Sequence, residues 1–97
     1  MITHIVFFKF KDGHPENIAK AREMLLNLKG KIPQLLHLEV GVDVLHTERS
    51  YDLALVSKFN SLEDLQAYQI HPLHVEVAEY LATVREAVAA VDYEVEA

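Results

Sequence analysis

Thr3-His4-Ile5-Val6-Phe7-Phe8-Lys9-Phe10 is the stretch whose reading decides the fold. It is β-branched and aromatic almost throughout, as strands are. It also carries apolar side chains at both odd and even positions. Alternation along a strand sends His4, Val6, Phe8 and Phe10 to one side and Ile5 and Phe7 to the other. A strand apolar on both faces belongs in the middle of a sheet, covered on each side.

Outward from this strand, Asp12, Gly13 and Pro15 mark a turn and a helix start. Ile18, Ala21, Leu25, Leu28 and Ile32 then recur at helical spacing, and Gly30 and Pro33 end the helix. Leu36 to Val42 alternates Leu36, Leu38, Val40 and Val42 against His37, Glu39 and Gly41, the pattern of a half-buried edge strand. Asp43 to Ser50 is a polar loop, and Asp52 to Phe59 returns to a strand pattern, antiparallel to the one before. Ser61-Leu62-Glu63-Asp64 resembles a capping box and opens a helix through about Ile70. Proline disfavours helical geometry in the residue before it but fits a first turn, so His71-Pro72 closes one helix and opens another. The second piece carries Val77, Ala78, Leu81, Val84 and Val88 on one face and is predicted to run to about Ala89, with Val91 to Val95 as the closing strand. The order β-α-β-β-α-β, with its second helix broken, predicts an α+β ferredoxin-like sandwich in which two helices cover one face of an antiparallel sheet. A single domain over residues 1–97 is expected.

In this topology the first and third strands are central. Parity puts Ile5, Phe7, Ala54 and Val56 on one face and His4, Val6, Phe8, Phe10, Leu53, Leu55 and Phe59 on the other; the larger set belongs under the helices. The smaller set is left as an apolar patch rimmed by Thr3, Lys9, Asp52 and Lys58. A domain of 97 residues cannot hide such a face with its own elements. Two copies packed through Ile5, Phe7, Ala54 and Val56 would make a homodimeric α/β barrel.

The 51% hydrophobic and 25% charged composition is that of a globular chain. A formal charge of −6 opposes nucleic acid and anionic membranes as partners. The absence of cysteine excludes disulfides, thiolate metal sites and thiol nucleophiles, and leans toward a cytoplasmic location. Met1 runs directly into the first strand, with no basic segment or apolar run of the length a secretory signal or membrane span needs. Phosphate-binding glycine loops, nucleophile elbows and heme signatures are missing, so no cofactor is expected. His71 and His74 lack a third ligand, so no metal is expected either.

Ala67-Tyr68-Gln69-Ile70-His71-Pro72-Leu73-His74 gathers a tyrosine and two histidines around the proline break. With Pro72 as first helical residue, His71 is the cap and His74 lies in the first turn, facing inward with Val77, Ala78 and Leu81. Positive helix-end potential and burial both disfavour imidazolium there, and a neutral imidazole is the form that accepts a proton. His74 is accordingly the candidate general base and Tyr68 a hydrogen-bond donor to a developing enolate. His4, His71, Phe8, Leu53 and Leu81 are candidate ligand contacts. The competing reading is structural: inward histidines are commonly packed and hydrogen-bonded, His71 caps a helix, and Tyr68 fills space above the sheet. An open cavity at His74 would separate the two readings. His14, His37 and His46 read as solvent-facing.

Thr3 to Lys11, Tyr51 to Phe59 with Ser61-Leu62-Glu63, Tyr68-Gln69-Ile70-His71-Pro72-Leu73-His74 and Val91-Asp92-Tyr93 together resemble the stress-responsive dimeric A/B barrel family. Tyr-x-x-His-Pro-x-His is the most specific part. The resemblance implies a ferredoxin-like homodimer forming an eight-stranded barrel. Activities in that family range from unassigned proteins to a plant polyketide cyclase that works without metal or cofactor. The cyclase's base, tyrosine and first-strand histidine match His74, Tyr68 and His4. Its third-strand histidine falls at Leu53, and its helix aromatics fall on Ala21, Leu25 and Arg85, which argues against the same substrate. Three functions follow as expectations: binding of a small apolar or aromatic ligand between helices and sheet; a cyclase-like or isomerase enzyme using His74; or an enzyme similar to antibiotic-biosynthesis monooxygenases, which share the barrel architecture.

Overall fold

The protein is described here by a computed structural model covering residues 1–96. Its strands are β1 (Ile2–Phe10), β2 (His37–Val42), β3 (Leu53–Phe59) and β4 (Arg85–Glu94), and its α-helices are α1 (Pro15–Leu26), α2 (Leu62–Ile70) and α3 (Pro72–Val84). The sheet is antiparallel with order β2-β3-β1-β4, so β1 and β3 are central as the double-faced sequence of β1 requires. This is the expected ferredoxin-like α+β arrangement.

Register fixes which residues share a face. Ile5 pairs with Val56 and Phe7 with Ala54, while His4 pairs with Ser57 and Phe8 with Leu53. Val6, Phe8, Phe10, Leu53, Leu55 and Phe59 are buried beneath the helices together with Ala21, Leu25, Leu65, Val77 and Leu81. Each such apolar side chain contributes about 1.5–3 kcal/mol relative to exposure, so this layer dominates the stability of the fold. Among the described residues no helix lies over the opposite face. Thr3, expected at the polar rim of that face, is instead buried.

Local chemistry sets the helix starts. The Ser61 hydroxyl accepts the Asp64 backbone N–H at 3.1 Å, and Pro15 and Pro72 open α1 and α3. Two boundaries differ from the sequence expectation. α1 stops at Leu26, but the chain continues through i to i−3 turns, with Leu28 N–H to Leu25 carbonyl and Lys31 N–H to Leu28 carbonyl. These turns keep Leu28 and Ile32 in the core, so the helical periodicity outlasts the helix. Gly30 closes the segment at φ 79°, a left-handed value that glycine adopts freely. The second difference is larger: α3 ends at Val84 and β4 begins at Arg85, so Val88 lies on a strand opposite Phe8 rather than on the helix. The alanines of Arg85 to Ala90 favour helix locally, but pairing along the whole of β1 outweighs that propensity. Among the described residues no helix is long and apolar enough to cross a membrane.

Candidate functional site

A cavity of about 220 Å³ lies between α3 and the sheet. β1 supplies His4, Val6 and Phe8 to its wall; Leu55 comes from β3 and Leu25 from α1; Gln69 from α2; His74, Val77, Ala78 and Leu81 from α3; Arg85 and Val88 from β4. The wall is thus mainly aliphatic, with two imidazoles, one amide and one guanidinium.

The proline break positions His74. His71 is extended, with φ −63° and ψ 135°, as a residue before proline prefers. Its Nδ1 accepts the Leu73 N–H at 3.1 Å, so the ring caps α3. Three residues on, His74 Nδ1 lies 3.0 Å from the Gln69 carbonyl oxygen. A carbonyl can only accept, so Nδ1 carries the hydrogen and Nε2 keeps its lone pair in the neutral ring. Burial lowers the pKa of His74 below the ordinary 6.5; the Gln69 bond opposes this, and the nearby His4 and His71 reinforce it. The ring is therefore a neutral acceptor at physiological pH.

Tyr68 stands behind that ring. Its centroid is 4.5 Å from His74 and 4.9 Å from Phe59, and its side chain is fully buried. Burial raises the phenol pKa to about 12. Among the described residues the hydroxyl has no hydrogen-bond partner, and Tyr68 is not part of the cavity wall.

His4 is buried on β1 and its Nδ1 hydrogen-bonds the Asp92 carboxylate directly across the β1–β4 pair. A carboxylate at Nδ1 fixes the tautomer and orientation of an imidazole. Both histidines of the wall thus engage Nδ1 with a protein acceptor, which leaves Nε2 as the nitrogen available to another molecule.

Of the site residues expected from sequence, the structure brings His4, Phe8, Leu81 and His74 together around one space. His71 caps the helix outside it. Leu53 borders a different cavity, of about 400 Å³, where Phe7, Gly41, Arg49 and Tyr51 open onto the uncovered face. His14, His37 and His46 are exposed. Asp92, Gln69 and Val88 were missed as site residues. Asp92 comes opposite His4 through the β1–β4 register, and neither that register nor the Gln69 carbonyl has a sequence signature. Among the described residues no three His, Asp or Glu side chains converge as metal ligands would.

The Stress responsive A/B Barrel Domain family profile matches residues 2–95. A stress-response A/B barrel domain-containing protein of Arabidopsis thaliana is 36% identical over 96% of this chain; the chain spans 46% of that relative's length. A dimeric protein of unknown function and ferredoxin-like fold from Bacteroides fragilis superposes with a TM-score of 0.86 at 33% identity, covering 97% of this chain and 95% of the other. A hydroxynitrile lyase from Passiflora edulis, at 21% identity and a TM-score of 0.85 over 98% and 93% of the two chains, shares the fold. With the helix-capped Tyr68 to His74 segment and the four-stranded sheet in place, the chain belongs to the stress-responsive A/B barrel domain family.

Proposed function

We propose that this chain is a homodimeric binding domain whose helix-to-sheet cavity takes a small, largely apolar or aromatic molecule, oriented by hydrogen bonds to the imidazoles of His74 and His4. The observation that carries this reading is the open space at His74, where a purely structural histidine would be packed over. The about 220 Å³ available suits one or two rings, since typical small-molecule sites run to roughly 300–1,000 Å³. The uncovered apolar face and the dimeric Bacteroides fragilis structure support pairing through Ile5, Phe7, Ala54 and Val56.

Aromatic fragments screened by NMR should shift the signals of Phe8, Val77 and Leu81, and Ala78→Trp, which fills the space, should abolish those shifts. A folded protein whose cavity signals stay unmoved by every fragment at millimolar concentration would refute the reading.

A second reading, proton transfer, is favoured by the fixed tautomer and neutral state of His74. In it, Nε2 removes a proton from a carbon beside a carbonyl and returns it or passes it on, with His4 as a polar contact and Tyr68 holding the base ring in place. No metal or cofactor enters this reading. Deuterium exchange at that carbon of a bound ketone, lost in His74→Ala with binding retained, would establish catalysis; exchange at the uncatalysed rate in the unsubstituted protein would eliminate it.

A further inference from the structure

We propose that the cavity selects carboxylates, with Arg85 as the residue that binds the anionic end of an apolar or aromatic acid. This rests on the cavity reading above and names the class of ligand. Among the described residues the wall contains no aspartate or glutamate, so Arg85 is its one fixed charge there. The Arg85 guanidinium makes, among the described residues, no hydrogen bond and, like the other lysines and arginines, no ion pair. Its backbone is firmly held, with the N–H on the Leu81 carbonyl and the residue paired with Phe10 at the start of β4. A fixed stem with a half-buried, unengaged planar fork is the arrangement that receives a carboxylate through two parallel N–H bonds.

The cavity also has polarity along its length. His4 pairs with Asp92 two residues in from the Ile2–Glu94 end of the β1–β4 ladder, and Phe10, the partner of Arg85, lies six residues further along β1. At the usual strand rise this separates the two backbones by roughly 20 Å, a gap that the arginine and imidazole side chains shorten from each end. The intervening wall is Val6, Phe8, Leu81 and Val88. A bound acid would therefore place its carboxylate at Arg85, its apolar body on the aliphatic wall, and its far end toward Nε2 of His4 and His74.

The probes are 2-naphthoate and 2-naphthamide, alike in shape and different in charge, titrated calorimetrically into the full chain at neutral pH. Naphthoate should bind at least about tenfold more tightly than the amide, the scale of one charge-assisted hydrogen bond, and the difference should shrink as salt is added. Arg85→Gln should erase the difference between the two probes, and Arg85→Lys should keep part of it. Equal binding of the two probes by the unsubstituted protein, or an undiminished preference in Arg85→Gln, overturns the assignment of Arg85 and leaves the cavity reading intact. If neither probe binds and the Phe8 and Leu81 signals do not move, both fall. Should Arg85→Gln fail to fold, the salt dependence and the Arg85→Lys affinity decide the question.

Discussion

On the helix-covered side of the sheet Phe8 and Leu53 retain 7% and 1% of their exposure, whereas on the other side Phe7, Tyr93 and Val91 retain 40%, 42% and 61%. The residues are of the same kind and alternate along the same strands. What differs is the neighbour: a layer of helices on one side, and among the described residues no helix on the other, where Tyr51 lies against Phe7 with ring centroids 6.1 Å apart. The covered side is a core, and a gap in it is where His4 and His74 present the ring nitrogens not engaged at Nδ1. The uncovered side carries Ile5, Phe7, Ala54 and Val56 at its centre, with Lys9, Glu39 and Lys58 around them, a composition that suits association. One sheet thus presents two unlike faces, one packed under helices and one left bare.

The contrast breaks most visibly at Phe59, fully buried and stacked on Tyr68. Phe59→Ala should cost about 3–5 kcal/mol in denaturant unfolding; a loss of under about 1 kcal/mol would mean the covered side is far looser than its burial implies. Phe7→Asp should behave oppositely, leaving the unfolding of the protomer nearly unchanged while weakening self-association by at least about 2 kcal/mol, the scale of an interface hot spot. Light scattering reads this as a halved mass, and an unchanged dimer mass with an intact fold would move the interface elsewhere.

A finer test concerns the gap itself. Because burial holds the folded-state pKa of His74 below 6.5, the unfolded chain takes up the proton first as pH falls. Stability should therefore decline from the ordinary histidine range down to the folded-state pKa and lose nothing more from this group below it. His74→Gln should flatten that part of the profile of melting temperature against pH; identical slopes would show that His74 titrates as in the unfolded chain. The smallest effect is expected for Tyr68→Phe, which removes a hydroxyl without a protein partner. Stability should stay within about 1 kcal/mol or rise slightly, whereas a large loss would reveal a bond to that hydroxyl. A selective fall in ligand affinity or proton exchange would give Tyr68 a direct part in the site.

Much of this was legible beforehand because strand alternation and proline geometry are local. The two-sided apolar pattern of Thr3 to Phe10 announced a central strand, parity sorted Ile5 and Phe7 from Val6 and Phe8, and Pro72 fixed His71 as a cap with His74 one turn inside. The end of α3 was misread because Arg85 to Ala90 is rich in helix formers, and only the β1 partner made it a strand. Asp92 followed from that strand's register, which no single-chain pattern encodes.

The chain's own sequence determined which residues alternate, where helices start and which ring sits at the proline break, since these depend on neighbours within a few residues. Tertiary structure alone decided that a space remains beside His74, that Tyr68 backs the ring rather than facing the space, and that Asp92 and Arg85 flank it from the last strand. Those features depend on how side chains distant in sequence fill, or fail to fill, the volume between helices and sheet, and packing of that kind is settled only when every element is in place.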